Sequence, residues 1–293
     1  MRHLYCLICT AFLLNTSSSM ADPWQVTIDA NIGLNEAAYS DNWEGGESGS
    51  VNWTLLSTTI AEKQINEKVN TRNTLKFSFG QTHNQDSDTK DWSKPVKSTD
   101  LIDLESVFRF SLGAFVDPYA SGRFESQFFD ARDSDKSRYI NPITLTESAG
   151  VAKMLIDEEK RKLQTRLGAG MREHISRDDL DPDSGKRETN TTSDGGLEFV
   201  SDLQTPLWAE RILLTSKITV FQALIYSESD NLKGLPEEDY WKAPDVNWEM
   251  IFSAGLSEMV NVKLYMQLLY DKEIDRVGRF KETIALGFTY KLM

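Results

Sequence analysis

Beyond its first ten residues this chain has no cysteine; its two stand at Cys6 and Cys9. A disulfide framework and a Cys/His metal cluster are therefore excluded downstream. After residue 21 nothing approaches the ~20 consecutive apolar residues that a membrane helix requires. Positive charge is scarce as well: 32 Lys+Arg face 45 Asp+Glu, a formal net charge of -13. That balance disfavours nucleic acid as a partner and suits cations or divalent-bridged lipopolysaccharide. No Pro/Gly/Ser-rich hinge divides the 293 residues, so one domain is expected. Gly168-Ala169-Gly170 and Gly195-Gly196 lack the spacing of a phosphate loop, and no cofactor is implied.

What the chain does have is a period of two. Val26, Ile28, Ala30, Ile32 and Leu34 alternate with Gln25, Thr27, Asp29 and Asn31, as in a strand with one apolar and one polar face. Leu75, Phe77 and Phe79 repeat the pattern against Arg72, Thr74 and Lys76; Val262, Leu264, Met266 and Leu268 repeat it against Lys263, Tyr265 and Gln267. The connections alternate between tight turns and long polar loops, the loops near residues 40–49, 82–99, 130–142, 176–195 and 227–245. Ser176–Asp194 reads as an acidic loop without structure, and Gln204-Thr205-Pro206 reads as a turn.

The pattern predicts an all-β fold, an antiparallel up-and-down transmembrane β-barrel of about twelve strands. An even number lets first and last strands pair, and closure is obligatory where unpaired backbone groups would meet hydrocarbon. The mean hydropathy of -0.43 is compatible with this, because only alternate residues of each strand meet lipid. Trp24, Phe115, Trp208 and Tyr290 near turn ends, and Tyr39, Tyr226 and Tyr270 near loop ends, would form two aromatic girdles.

Residues 1–21 carry the marks of a signal peptide: Arg2, an apolar run from Leu4 to Leu14, and Ser19-Met20-Ala21 as a small-x-small cleavage site. Neither cysteine follows the small residue that lipid attachment needs. Export to the outer membrane is expected, with the barrel over residues 22–293, both termini periplasmic and the long loops facing out.

Three segments resemble a known family. Asn42-Trp43-Glu44-Gly45-Gly46-Glu47-Ser48, Asp245-Val246-Asn247-Trp248-Glu249, and the ending from Phe280-Lys281-Glu282 through Leu286-Gly287-Phe288-Thr289-Tyr290-Lys291 are similar to the bacterial outer-membrane family catalogued as domain of unknown function 3078. The resemblance implies an exported barrel-like protein and supplies no catalytic residues. The final strand, with Gly287, Tyr290 and Leu292, also looks like the signal by which the barrel-assembly machinery takes up its clients, although Ala285 and Met293 depart from the pattern.

Alternation assigns to the lumen Asp29, Arg72, Lys76, Asp103, Glu105, Arg109, Arg123, Glu125, Arg166, Arg172, Lys217, Glu249 and Lys263. Both signs are present, so a charge-lined pore and an interior of mutually neutralised pairs are equally compatible. His174 and Ser176 with Asn190 match the His-x-Ser…Asn spacing of outer-membrane phospholipases, but the apolar face formed by Leu163, Leu167 and Met171 turns His174 and Ser176 inward, away from lipid. Asp178, Asp179, Asp181 and Asp183 with Ser184-Gly185 crowd carboxylates without the EF-hand spacing, and read as a solvated acidic loop. No catalytic, cofactor or metal set is assigned. The leading expectation is a porin-like channel or small-solute transporter; the alternatives are a non-conducting structural or surface-interaction barrel and, third, a lipid hydrolase.

Overall fold

The computed structural model describes residues 23–39, 47–132, 136–180, 185–257 and 260–292, with side chains described as far as Gly287. Residues 1–21, expected to be a leader, Asn42 to Gly46, and Asp181 to Ser184 lie outside the described residues, as do the side chains of Tyr290 and Leu292.

The strands are β1 (Gln25–Ala37), β2 (Ser50–Asn66), β3 (Val69–Asn84), β4 (Val96–Phe110), β5 (Asp117–Ser126), β6 (Phe129–Asp130), β7 (Arg138–Tyr139), β8 (Ile143–Asp157), β9 (Lys162–Leu180), β10 (Arg187–Leu207), β11 (Ile212–Tyr226), β12 (Asp245–Gly255), β13 (Val260–Asp271) and β14 (Asp275–Leu292). A single 3-10 turn, Tyr240–Lys242, interrupts the connection between β11 and β12. Twelve strands form one closed barrel in the order β1-β14-β13-β12-β11-β10-β9-β8-β5-β4-β3-β2, and β6 with β7 makes a separate small hairpin. Every pairing is antiparallel, and closure is made by β1 against β14, from Val26↔Leu292 to Ile32↔Leu286. The ring leaves no free seam along that stretch, which satisfies the backbone internally.

The barrel is inside-out relative to a water-soluble domain. Buried polar and charged residues, among them Asp103, Arg166, Asp194, Glu198 and Glu249, outnumber buried apolar ones, while Leu34, Leu104, Leu167, Phe280 and Ile284 stand exposed. Cross-strand register keeps the faces separate: Leu75, Leu104 and Phe124 share the outer surface, and Lys76, Asp103 and Glu125 share the inner one. Where polar groups interrupt the outer face they pair, as Ser106 Oγ does by donating to Asn73 Oδ1 at 2.8 Å.

Four sequence expectations need correction. Within Ser176–Asp194, residues 176–180 and 187–194 are strand: β9 runs to Leu180 and β10 starts at Arg187, so a paired ladder continues through Thr191↔Ile175, Asn190↔Ser176 and Glu188↔Asp179. Above the membrane both faces of a strand meet water, so alternation vanishes while backbone pairing persists. The turn after β10 falls at Trp208 to Arg211 rather than at Pro206, which still pairs with Leu213. Trp208, Ala209 and Glu210 take left-handed backbone angles (φ 48°, 52° and 69°) to close it. The loop near 82–99 and that near 130–142 are likewise shorter or more ordered than expected, because β3 and β4 extend to Asn84 and from Val96, and β6 pairs with β7.

Candidate functional site

The lumen-facing charges meet across the barrel axis. Lys76 Nζ on β3 donates to Glu249 Oε2 on β12 at 2.5 Å, and β12 stands five strands from β3 around the ring through β13, β14, β1 and β2. Lys217 on β11 contacts Glu105 on β4, again across five steps, and Arg166 Nη2 on β9 donates to the other oxygen of Glu105 at 2.6 Å. In a ring of twelve such spans are almost diametric. The two bridges are tied in by Arg123, which grips Asp103 with Nε at 2.8 Å and Nη2 at 3.0 Å and reaches Glu125 at 2.9 Å. Tyr265 Oη donates to Glu249 Oε1 at 2.8 Å. These groups form a connected layer of ion pairs at mid-depth, in which each buried charge has an opposite partner.

The remaining lumen candidates fall elsewhere. Lys263 contacts Asp29 near the β1–β14 closure, Arg109 lies 3.9 Å from Asp117, and Arg72 is exposed toward the turn rim. Arg172 sits on the loop side of the layer, holding Asp194 at 2.6 Å and Asp245 at 2.7 Å with its guanidinium 3.9 Å from the centre of the Phe221 ring.

Above the layer lies a vestibule of about 240 Å³, with Glu105, Arg123 and Lys217 in its floor and Arg172, His174, Glu198, Asp245, Asp271 and Arg279 in its walls. It falls below the ~300–1,000 Å³ of pockets for drug-sized ligands. Tyr119 roofs part of the neighbouring wall. Gly168 is required there, because an added Cβ would stand 2.6 Å from the Tyr119 hydroxyl and 2.4 Å from the Ala149 carbonyl. Sequence reasoning missed Glu198 and Arg279, although alternation along β10 and β14 would have placed both inward.

His174 Nδ1 lies 3.0 Å from Thr144 Oγ1, whereas the Ser176 hydroxyl accepts from Arg132 at 3.3 Å. The two side chains thus have different partners. Asp178 meets Lys136 at 3.0 Å and Asp179 meets Arg138. Above the rim, burial would raise the Asp130 carboxyl, but hydrogen bonds from Arg132 and Asn141 outweigh it and hold Asp130 well below the usual carboxylate range.

At the vestibule mouth, in the turn between β13 and β14, lost hydration pushes the Glu273 carboxyl up to about 7; Asp271, Asp245 and Asp194 add to this and Arg172 opposes it. Glu273 is therefore neutral below that pH, and the mouth gains a negative charge as pH rises through it. Carboxyl 13C NMR of the barrel in micelles should give a midpoint near 7, lowered by Asp271→Asn; an ordinary midpoint near 4.5 excludes this crowding.

A closed ring with an apolar exterior and an ion-paired lumen defines the class of β-barrels built for lipid surroundings. Within that class, the profile of the family described as "Protein of unknown function (DUF3078)" matches residues 34–131. No curated protein matches the sequence. Among solved structures, the chain is similar to the translocator domain of the autotransporter NalP from Neisseria meningitidis, at 11% identity over 92% of this chain and 88% of that chain, with a TM-score of 0.40. It is also similar to the COG4313 outer membrane channel from Pseudomonas putida F1, at 12% identity over 95% and 99% of the two chains and a TM-score of 0.43.

Proposed function

We propose that this chain is an outer-membrane barrel exported by its leader, shut at mid-depth in its resting state, which receives small solutes in the vestibule and passes them only when the ion-pair layer parts. The observation that carries the reading is the pair of near-diametric bridges, Lys76–Glu249 and Lys217–Glu105. An ion crossing the lumen would have to displace a bound counter-charge. Lipid hydrolysis forms no part of this reading, since His174 and Ser176 take separate partners and His174 lines the vestibule.

Charges on the outward face support the orientation. Glu36, Glu147 and Glu173 lie toward the loop ends of their strands, while Lys63 and Lys153 lie toward the turn ends, against Trp24 at 5.8 Å and Phe115 at 3.0 Å. Lysines suit the phosphates of an anionic inner leaflet. Carboxylates at the other rim suit divalent cations that bridge lipopolysaccharide. The assembly machinery would meet the barrel at β14, the strand that closes it.

Conductance in planar bilayers tests the proposal. The refolded wild-type barrel should give no unitary steps at moderate voltage, and the double variant Lys76→Ala/Lys217→Ala should give cation-preferring steps, because Glu249 and Glu105 then line an unblocked path. Wild-type steps of porin size would overturn the closed resting state. A double variant that folds and stays silent favours a purely surface-interacting barrel.

A further inference from the structure

Most of the charges that line the vestibule are matched. Arg123 holds Asp103 and Glu125, Lys217 holds Glu105, and Arg172 holds Asp194 and Asp245. Asp271 is answered by the Glu273 backbone N–H alone, and two further charges, of opposite sign, have no ion pair either. Glu198 on β10 is 7% exposed and lines the cavity, yet among the described residues it has no hydrogen bond and no cation within 4.0 Å. Arg166 acts on it from longer range, with Nη2 on Glu105 at 2.6 Å and Nη1 buried without a hydrogen-bond partner. Arg279 on β14 lines the same cavity, has no carboxylate within ion-pair distance among the described residues, and keeps its Nε buried without a hydrogen-bond partner.

Leaving the Arg279 Nε donor buried and unsatisfied is costly, and Glu198 opens onto the same cavity with no cation beside it; such groups call for an explanation in the molecule's function. The strands that carry them, β10 and β14, are four steps apart around the ring, so the two charges face one cavity from different walls. They are too far apart to neutralise each other, yet a short dipolar molecule could answer both. Between them lie Phe221, Thr219 and Asn247, with His174 on the far side of Glu198, a wall of mixed polarity that suits a compact polar ligand.

We infer that the vestibule is a binding site for a small zwitterion of amino-acid size, with the ligand's ammonium on Glu198 and its carboxylate on Arg279. The inference rests on the vestibule reading above but not on how the lumen conducts. A lone organic cation would satisfy Glu198 and leave Arg279 orphaned; a lone carboxylate would do the reverse.

Isothermal titration calorimetry on the full barrel in detergent tests this with glycine, γ-aminobutyrate and 6-aminohexanoate, against propylamine and butyrate as single-charge controls. At least one zwitterion should bind about tenfold or more tightly than both controls, and Glu198→Gln and Arg279→Gln should each weaken it by about tenfold or more, as expected for a lost charged hydrogen bond. Arg279→Lys should retain part of the affinity. Equal binding of propylamine, indifference to both substitutions, or no heat from any zwitterion at millimolar concentration would overturn the site. If Glu198→Gln fails to fold, the two Arg279 variants with the ligand panel decide the matter. Because binding is read without a membrane potential, a failed conductance experiment and a failed zwitterion site give separate signatures.

Discussion

Glu105→Gln should lower the unfolding free energy of the barrel by about 3–5 kcal/mol, the usual cost of removing one partner from a buried ion pair. Glu105 answers two cations, Arg166 and Lys217, whose side chains are 3% and 16% exposed. Glutamine keeps the shape and removes the charge, so Lys217 loses its ion pair and Arg166 is left with only the longer contact to Asp202 at 4.0 Å. Desolvation that was offset in the wild type becomes uncompensated. Urea-driven unfolding in phospholipid vesicles, followed by tryptophan fluorescence, measures the loss. The double variant Glu105→Gln/Lys217→Met should recover a substantial part of it, since one orphaned charge is then gone. A loss under about 1 kcal/mol would mean that water, rather than Glu105, neutralises these cations.

Leu104→Arg should cost about 2–4 kcal/mol in the same assay, as a cation does at the mid-depth of a lipid-facing barrel surface. Leu104 lies well inside β4, is 42% exposed and is flanked across the strands by Leu75 and Phe124. In a water-soluble protein an exposed leucine changed to arginine would be close to neutral. The prediction therefore separates the two surroundings with one residue, and a neutral result would remove hydrocarbon from that face.

Much of this architecture was legible from alternation. A strand offers only two faces, so with Val26, Ile28 and Ile32 outward Asp29 has to point inward, and the same logic assigns Lys76, Glu105 and Arg172 to the inner face. Alternation could not say which charges meet. The Lys76–Glu249 contact joins strands separated by more than half the chain, and its existence depends on the stagger of the closed ring, which no local pattern encodes. Nor could it find the end of β10. Pro206 suggested a turn, but at the barrel rim a strand tolerates a residue without an N–H, and the bend is made instead by three left-handed residues of ordinary type. The hairpin of β6 and β7 escaped for a similar reason: Asp130, polar and loop-like in sequence, is fully buried by Arg132, Arg138 and Asn141.

On the proposed orientation, the ladder formed by the ends of β9 and β10 would have a consequence for traffic at the cell surface. Main-chain pairing continues down to the wall of the barrel, with one register shift between Glu188 and Asn190, so it would stand as a mast rather than a tether. An antibody, phage fibre or neighbouring cell approaching from outside would touch that mast before it reached the lipid, and a force applied there would be delivered straight into the staves around Arg172.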